Sequence, residues 1–547
     1  MCLPPQPLRG PSGREYNARG AKCCILGSPN IIDLSTLKIL PNPLVLALAL
    51  PTLFFVLGPL GFLVWMGLAQ EGADFLERAG ALGLPRVVGQ VALLATLMTA
   101  WAGALAVPLA WLTVRTDLPA RRLLRWLAPL PLAIPPYIGA LVYQILLPPG
   151  GFLYSLWGAA WILGLFTYPH LYLLVSAALE RTNPSLEEAA RGAGLAPRQV
   201  LVRVTLPLLR PALLAGGLMV FLYGWADFGV VSLLRVRTLT TIIFDYIQGT
   251  LDWALPSALS VLLTAITILV LLLQLRILGR AGFTQIVSGA KPPPQVALGI
   301  WRWPAFGYAA GVLTLSLLLP LGLLGLQASR LSAPAAAALA LGQWPYFVNS
   351  LWTAVTGASL ALVIALGVGW LEGRRLARPV SALFQIGYAI PGTVLGLGMA
   401  GFVHATLPWI YSTPLMLIVA YLVLYITPAF QAVKAALAQL HPSLEEAARG
   451  LGRRPLAAFW LVTLPLIKPG FIGGWILVFV LSMRELAATL IVRPPGFDTV
   501  PVRIWIYAMD VGPEPQAAAL ALALVLTIAL PWLALLSLRS RGIYPSW

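Results

Sequence analysis

The sequence predicts an all-α polytopic membrane protein with about 12 transmembrane helices, arranged as two parallel six-helix repeats. Two observations predict this fold class: the composition and a long internal repeat. Hydrophobic residues make up 59% of the 547 residues and charged residues 10%, whereas a soluble domain carries about 25% charged residues. Such a chain has too little polar surface to cover a water-soluble fold. The composition therefore excludes a disordered protein, a collagen, a disulfide scaffold and a cytosolic enzyme.

Twelve hydrophobic runs are long enough to cross roughly 30 Å of hydrocarbon, which takes about 20 helical residues. We expect each run to form one helix, with boundaries good to about 3 residues. The runs are 44–69, 87–113, 123–148, 152–178, 212–233, 254–275, 304–327, 347–371, 380–403, 411–433, 469–492 and 516–538.

The net charge of +17 is unevenly distributed between the two sides of the predicted membrane. With loops assigned to alternate sides, the side holding both termini has 28 of the 36 Lys and Arg residues and nine acidic residues. The opposite side has seven basic and eight acidic residues. The positive-inside rule therefore places both termini in the cytoplasm. The excess charge is read as a topology signal, in preference to a nucleic-acid partner.

The most informative feature of the sequence is the internal repeat. Residues 184–216 and 442–474 align without a gap at an offset of 258, and 18 of the 33 aligned positions are identical. Weaker matches precede it, pairing Ala133-Ile134-Pro135 with Ala389-Ile390-Pro391 and Trp111-Leu112 with Trp370-Leu371. The chain is therefore a duplication of a six-span unit. Because six is even, both copies have the same orientation, which makes the repeats parallel.

The repeat also predicts the domain organisation. The three cysteines, Cys2, Cys23 and Cys24, all precede the first run, so they cannot cross-link an outer loop. The N-terminal tail is either disordered or the product of a mis-set translation start. The expected parts are a cytoplasmic tail 1–43, a first transmembrane domain 44–275, a cytoplasmic linker 276–303, a second transmembrane domain 304–538 and a cytoplasmic tail 539–547.

The repeated segment lies between the fourth and fifth run of each half, on the predicted cytoplasmic side. Pro184 can open a helix there, and Gly194 and Gly452 permit a sharp reversal that a side chain would hinder. A second short helix is expected to end at Pro207 in the first copy and at Pro465 in the second. Two solvated loops would explain the charge, but they would not explain why these loops are the most similar parts of two diverged halves. We therefore expect both to dock on a partner with two matching grooves.

The two segments resemble the EAA motif of the inner-membrane permeases of binding-protein-dependent ABC importers. In that motif Glu-Ala-Ala, Gly, an aliphatic residue and Leu-Pro follow at fixed spacing. The resemblance covers about residues 40–538 and implies a type I importer fold, in which each motif forms a coupling helix seated on an ATPase subunit. The matching residues are Glu188, Ala189, Ala190, Gly194, Val204, Leu206 and Pro207 in the first copy, and Glu446, Ala447, Ala448, Gly452, Val462, Leu464 and Pro465 in the second.

The resemblance implies a transport subunit rather than an enzyme, located as a multi-pass protein in the bacterial inner membrane. It implies as partners two copies of an ABC ATPase subunit, a periplasmic substrate-binding protein and the lipid bilayer, with no nucleic acid. The chain has five lysines and no Gly-Lys pair, so it lacks a phosphate-cradling loop. ATP and magnesium are therefore expected on the partner ATPase, and no cofactor on this chain.

Within that family the chain is similar to the fused ferric-iron permeases, which implies ferric iron as the substrate. The stretches compared are Asp227-Phe228-Gly229, Met483–Leu490, Gly496–Val500 and Ile504-Trp505. Fused thiamine permeases share the duplicated layout, and polyamine, sulfate and phosphonate permeases share single halves. A secondary transporter driven by an ion gradient would share the span count, but it would not need two matching docking loops.

Apart from Arg125, which lies at the cytoplasmic end of its run and is counted with that side, three charged residues fall within the predicted spans: Asp227, Arg484 and Glu485. Such groups are costly in lipid and usually face a bundle interior or an aqueous path. Asp227 and Glu485 differ by the repeat offset of 258, so each half places a carboxylate at the same point. Two interpretations remain open. The carboxylates border the transport pathway and attract cations, or they are structural, as an ion pair with Arg484 or as a helix-end contact.

Other candidate iron ligands are weaker. Aromatic residues in membrane proteins more often form interfacial belts or core packing than metal sites, and the three histidines lack metal-ligand spacing. We therefore predict no metal site on this chain. Proline within the third run of each half, Pro135 and Pro391, is expected to break the helix, either at a cavity or hinge or as a packing kink. The tyrosines considered are Tyr137, Tyr143, Tyr154, Tyr168, Tyr172 and Tyr223.

Overall fold

The structure is a computed structural model. It describes residues 43–69, 74–182, 184–250, 252–280, 295–372, 384, 387, 390–441, 443–512 and 514–540, all within one unit, Pro41–Trp547. The predicted N-terminal tail up to residue 42 lies outside the described residues. So do 281–294 of the predicted linker and 541–547 of the predicted C-terminal tail.

The first half consists of helices that follow the apolar runs, with shorter helices between them. Several helices begin with proline, whose fixed φ suits the first helical turn. The helices are α1 (Pro43–Ala69), α2 (Phe75–Ala81), α3 (Leu84–Arg115), α4 (Arg121–Leu127), α5 (Pro136–Leu146), α6 (Leu156–Arg181), α7 (Pro184–Gly192), α8 (Pro197–Val200), α9 (Leu206–Ala226), α10 (Gly229–Leu233), α11 (Leu239–Gly249) and α12 (Ala254–Arg280).

The second half repeats this order. In the described part of the chain, extended pairing is limited to one isolated bridge between Thr116 and Val296. The helices are α13 (Arg302–Leu313), α14 (Leu319–Ala328), α15 (Ala333–Glu372), α16 (Gly392–Thr406), α17 (Pro414–Leu437), α18 (Ser443–Gly450), α19 (Pro455–Ala458), α20 (Leu464–Met483), α21 (Ala487–Val492), α22 (Val500–Asp510) and α23 (Pro515–Ser540).

The predicted all-α polytopic fold is confirmed. Among the described residues, nine helices are long and apolar enough to cross a membrane, or ten if one bent pair counts as a single span. Two shorter apolar helices, Gly392–Thr406 and Pro515–Pro531, occupy the positions of the predicted runs 380–403 and 516–538. Each of the predicted runs therefore has an apolar helix at its place.

The predicted run 123–148 is not one straight helix. Residues Arg121–Ala133, which include α4, meet α5 at an angle of 94°. Ile134 has an extended backbone and is followed by Pro135 and Pro136, which have no N–H to continue a helical ladder. The predicted break at the first Ala-Ile-Pro is therefore confirmed. In the second half α16 starts directly after Pro391.

The bent pair nevertheless crosses the membrane once. Arg115 at the end of α3 pairs with Glu187, which lies just beyond the end of α6. The helices α3 and α6 therefore end on the same side of the membrane. Because each of them spans it, the chain between them must return across, and α4 with α5 forms one broken span.

The fifth helix of the first half begins earlier in the chain than the predicted run 212–233. In the structure α8 continues through a π turn, Leu201–Thr205, into α9, so the helical segment starts at Pro197. Pro207 was expected to end the second loop helix and instead lies in the first turn of α9. The wider π turn before it relieves the clash between the proline ring and the preceding turn. The second half repeats this arrangement, with the π turn Phe459–Thr463 between α19 and α20.

The fifth spans also end earlier than predicted, at Ala226 and Met483, and the short helices α10 and α21 follow. Asp227, Arg484 and Glu485 therefore do not lie within continuous helices, as the runs suggested, but at two helix breaks. The reason is local. Each carboxylate accepts hydrogen bonds from backbone amides at the start of the next short helix.

The first span of each half packs on the other half. In α1, the ring of Phe54 lies 5.0 Å from that of Phe402 in α16, measured between centroids. In return, the Tyr143 hydroxyl of α5 donates to the Leu315 carbonyl between α13 and α14, at 2.8 Å. The two halves are therefore interlocked through reciprocal exchange of their first spans, as expected for parallel copies.

Candidate functional site

The two repeated loops form matching helical turns. Gly194 after α7 has a φ of +86°, and Gly452 after α18 has a φ of +83°. The Leu195 N–H donates to the Ala190 carbonyl at 3.2 Å, and the Gly194 N–H donates to the Arg191 carbonyl at 2.9 Å. This is the Schellman pattern that ends a helix on a left-handed residue. The predicted reversal at both glycines is confirmed.

Each loop presents an unpartnered outer face. Beside the motif carboxylates, Leu186 is 44% exposed and its repeat counterpart Leu444 is 46% exposed. A short acidic helix with an exposed leucine is suited to docking in a groove of another protein. Ala190 and Ala448 are half-buried, and the exposed motif residues are Glu188, Ala189, Gly194, Glu446, Ala447 and Gly452.

The carboxylate directly before the motif, that of Glu187, is buried within the protein instead of exposed. Glu187 is 4% exposed and forms an ion pair with Arg115, which is 2% exposed. The Thr205 hydroxyl, in the π turn, also donates to Glu187 Oε1 at 2.9 Å. Glu187 thus ties the first coupling loop to the end of α3 and to the base of the fifth span.

The second loop has an equivalent contact. The Thr463 hydroxyl, in the π turn before α20, donates to Glu445 Oε2 at 3.5 Å. Glu445 and Thr463 are offset by 258 from Glu187 and Thr205. Both coupling loops are therefore held on the π turn that starts the fifth span.

This tether was not predicted, although the sequence carries a signal for it. The match at Trp111-Leu112 and Trp370-Leu371 extends to an arginine three residues later, Arg115 in the first half and Arg374 in the second. Arg374 lies outside the described residues. The arginines were attributed to the positive-inside rule, which explains a charge at a helix end without requiring a partner.

The Leu-Pro end of each motif belongs to a different element from the Glu-Ala-Ala start. Leu206 and Pro207 lie in the first turn of α9, and Leu464 and Pro465 lie in the first turn of α20. Because α8, the π turn and α9 are continuous, the motif includes both the docking helix and the base of the fifth span. The repeated loop is therefore joined without a break to a transmembrane helix.

Each carboxylate at a helix break lies one residue before the N-cap of the next short helix and accepts hydrogen bonds from its first amides. Asp227 Oδ2 accepts hydrogen bonds from the Val230 N–H at 3.0 Å and the Val231 N–H at 3.2 Å. Glu485 Oε1 accepts one from the Ala488 N–H at 3.0 Å. Each carboxylate therefore satisfies amides at the start of the short helix that follows, which would otherwise lack partners.

The remaining contacts favour a helix-end role over an ion pair. The other Glu485 oxygen accepts from the Tyr425 hydroxyl at 2.7 Å. Arg484 Nη1 lies 3.4 Å from the Leu132 carbonyl of the other half, and within the described residues no carboxylate lies within 4.0 Å of it. Asp227, Arg484 and Glu485 are each half-buried. The ion pair with Arg484, one of the interpretations left open by the sequence, is therefore not formed among the described residues.

The breaks of the two halves lie side by side. A Cβ at Gly229 would lie 3.0 Å from the Tyr137 Cβ and 3.5 Å from Leu486 Cδ2, so α10 contacts both α5 and the break of the second half. The rings of Phe228 and Trp505 lie 6.1 Å apart. Three of the sequence stretches compared with the ferric permeases therefore meet at the interface between the halves.

The candidate tyrosine ligands are mainly structural. Tyr168 donates to the Ala128 carbonyl at 3.0 Å, Tyr172 lies 3.1 Å from the Thr113 hydroxyl, and Tyr143 bonds to the second half. Tyr154 and Tyr223 are half-buried, and the buried Tyr137 hydroxyl has no partner within the described chain. Among the described residues, no group of three or more His, Cys, Asp and Glu could hold a metal ion.

The face opposite the coupling loops has an ion-pair network. Asp498 pairs with Arg493 and with Arg503, whose Nη1 lies 3.4 Å from Asp498 Oδ2. The Arg503 guanidinium also lies 5.0 Å from the ring centre of Tyr346 and 5.1 Å from that of Tyr507. The network fixes the loop between α21 and α22.

A second ion pair on this face joins Arg78 of α2 to Asp252. Burial alone would raise the pKa of Asp252. The hydrogen bonds from Arg78 and from the Ala254 N–H outweigh burial and lower the pKa instead. The pair therefore remains charged at neutral pH and holds the start of α12 against α2.

Two known permeases resemble the chain over much of its length. It is 30% identical over 359 residues to an Fe(3+)-transport system permease protein of Haemophilus influenzae, covering 65% of this chain and 71% of that protein. It is 25% identical over 394 residues to a ferric transport system permease protein of Actinobacillus pleuropneumoniae, covering 66% of this chain and 57% of that protein. The match thus spans less than two thirds of the second relative.

A shorter segment resembles a permease of another kind. Over 86 residues, the chain is 41% identical to a putrescine transport system permease protein of Escherichia coli, covering 16% of this chain and 31% of that protein. Residues 102–281 and 357–541 each match the family described as binding-protein-dependent transport system inner membrane component. With one such segment in each half, each holding a coupling loop and a capped helix break, the chain belongs to this family of ABC permease subunits, as a multi-pass protein of the inner membrane.

Proposed function

We propose that this permease carries ferric iron from a periplasmic binding protein into the cytoplasm by alternating access. ATP hydrolysed by two copies of a separate ATPase subunit drives the cycle. Both termini and both coupling loops face the cytoplasm, and the binding protein docks on the opposite face. The paired loops, each with an exposed acidic and apolar surface, are the observation that supports two ATPase copies.

Similarity supports ferric iron over the other substrates. The matches to the two ferric permeases cover 65% and 66% of the chain, so they extend over both halves. The match to the putrescine permease covers 16%, and that to a putative 2-aminoethylphosphonate permease of Salmonella typhimurium covers 29%. These shorter matches are expected from the part that all such permeases share.

We expect vesicles that contain the permease and its ATPase to accumulate iron only when ATP is enclosed and ferric-loaded binding protein is outside. Radiolabelled iron uptake measures this, with putrescine, 2-aminoethylphosphonate and thiamine as competitors. None of the competitors should reduce iron uptake. Uptake that persists without ATP and collapses with an ionophore would instead identify a secondary transporter.

Replacing Gly194 and Gly452 with valine should uncouple the permease from its ATPase. The left-handed backbone strains a residue with a Cβ by about 1–2 kcal/mol at each site. No neighbouring atom lies within 4 Å of either added Cβ, so the effect should arise in the turn alone. Co-purification of the ATPase and iron uptake should each fall at least tenfold, with normal membrane insertion.

The matched control is the double substitution Gly192→Val and Gly450→Val. These glycines are in the same loops, also have open space around them and do not have a positive φ. This control should retain most ATPase binding and uptake. Equal loss in both double variants would show that the turn conformation is not what matters.

Substitutions of the two adjacent glutamates of the first loop should have different effects, one on stability and the other on ATPase binding. Glu187→Gln leaves the buried Arg115 charge unpaired, which should cost about 3–5 kcal/mol of stability. Glu188→Gln changes an exposed side chain and should weaken ATPase binding without lowering stability. Thermal unfolding of the purified permease and ATPase pull-down distinguish the two effects.

A rescue variant tests whether the tether also transmits motion. Removing both buried charges, in Arg115→Gln with Glu187→Gln, should restore most of the stability. If the tether links the loop to α3, this variant should still show less iron uptake per ATP hydrolysed. A normal ratio of uptake to hydrolysis in the rescued protein would restrict Glu187 to a structural role.

The carboxylate caps can be tested by separating charge from hydrogen bonding. Asp227→Asn keeps an acceptor for the α10 amides, whereas Asp227→Ala removes it and should cost about 0.5–2 kcal/mol. If Asp227 only caps α10, the Asn variant should transport normally and the Ala variant should be less stable. If the negative field attracts the cation, the Asn variant should lose uptake at unchanged thermal stability. Glu485→Gln tests the second half in the same way.

A further inference from the structure

Two adjoining cavities lie where the end of α3 meets α4 and the segment leading into α13. The basic cavity has a volume of about 380 Å³, and its lining includes Thr113, Arg121, Arg122, Arg125, Glu180 and Gln295. The apolar groove has a volume of about 570 Å³, and its lining includes Trp111, Leu112, Leu298, Trp301 and Tyr308. The coupling loops and the helix breaks line neither of them.

The basic cavity is suited to an anion. Its lining carries three arginines and one glutamate, which leaves an excess of two positive charges. Arg125 pairs with Glu180, and Arg121 Nη1 donates to the Thr116 carbonyl at 3.2 Å. Arginine presents several donors in a planar fork, which matches the oxygens of a phosphate.

The two cavities are lined by neighbouring residues of the same two segments. Leu112 of the groove and Thr113 of the basic cavity are consecutive in α3, and the segment starting at Gln295 borders both. That segment is fixed along the end of α3, since the Val296 N–H donates to the Arg115 carbonyl at 2.7 Å and the Leu298 N–H donates to Asp117 Oδ1 at 2.9 Å. The pair therefore forms one site with a charged part and an apolar part.

The surroundings of the site have the character of a membrane interface. On α4, Leu123 is 58% exposed and Trp126 is 42% exposed, although arginines flank them. Trp301 in the groove is 68% exposed. Exposed tryptophan beside arginine is typical of the level of lipid headgroups. The end of α3 lies on the side of the coupling loops, which the proposed function places in the cytoplasm.

We propose that this site binds one anionic phospholipid of the cytoplasmic leaflet. The phosphate lies among Arg121, Arg122 and Arg125, and an acyl chain lies in the groove against Trp301 and Tyr308. Basic pockets between transmembrane helices on the cytoplasmic side bind anionic headgroups in this way. The lipid would link the broken span of the first half to the first span of the second half.

The test is lipid binding to the purified permease–ATPase complex by native mass spectrometry. Phosphatidylglycerol and phosphatidylcholine with identical acyl chains are titrated separately. We expect phosphatidylglycerol to be retained preferentially. The double variant Arg121→Gln with Arg122→Gln should bind it about 25-fold less tightly, because each arginine near an anionic surface contributes about fivefold. Removing the same charge elsewhere, in Arg235→Gln with Arg237→Gln, two exposed arginines away from the coupling loops, should leave this lipid bound.

Two nearby tryptophans, Trp301 and Trp303, provide a matched pair of variants for testing the groove. Trp301 lines it, whereas Trp303 does not line it and is almost equally exposed, at 70% against 68%. Trp301→Ala should weaken phosphatidylglycerol binding at least threefold, and Trp303→Ala should leave it unchanged. This comparison still decides the proposal if the arginine variants fail to fold.

Three results would overturn the proposal. They are equal binding of phosphatidylcholine, displacement of the lipid by millimolar inorganic phosphate with no effect of Trp301→Ala, and equal effects of the two tryptophan variants. The second result would identify a site for a free anion. Because binding is measured without iron or ATP, its outcome is independent of the transported substrate.

Discussion

A backbone amide or carbonyl without a partner costs several kcal/mol in hydrocarbon, and this constraint governs where the chain can interrupt its helices. The interruptions fall at matched places in the two halves, after Ala-Ile-Pro and at the end of each fifth span. Prolines supply no amide at the first kind of break, and carboxylates accept the free amides at the second. The breaks of the two halves also contact one another at Gly229 and Leu486, which keeps irregular backbone away from lipid.

The same cost of burying polar groups explains why the two adjacent glutamates of the first coupling loop have different surroundings. Glu187 is buried, and its carboxylate contacts the Arg115 guanidinium and accepts a hydrogen bond from the Thr205 hydroxyl. Glu188, its neighbour, is exposed. One carboxylate therefore holds the loop to its own chain, while the next is free to meet a partner. These contacts attach the loop to the end of α3 and to the π turn before α9.

Features set by lengths and local backbone rules were predictable from the sequence. Hydrocarbon thickness fixes the length of a span, so the twelve runs match helices, and a required positive φ explains the two loop glycines. The break at Pro135 was predicted, but its angle of 94° and the π turns were not, because residue types do not show which geometry accommodates a proline. The Arg115–Glu187 pair was not predicted either, because it depends on a contact between distant segments. Pro207 shows the difference: proline usually ends a helix, but the π turn before it changes the outcome.

The charged residues at the two helix breaks differ between the halves. Asp227 corresponds to Glu485, but the counterpart of Arg484 is Ala226. Two carboxylates and one guanidinium leave a net charge of −1 between the halves when all three are ionised. Asp227 Oδ2 and both Glu485 oxygens already accept hydrogen bonds, so they are poorly placed to act as iron ligands. Under the proposed function, a cation that passes between the halves would meet carboxylates engaged in hydrogen bonds rather than a chelating site.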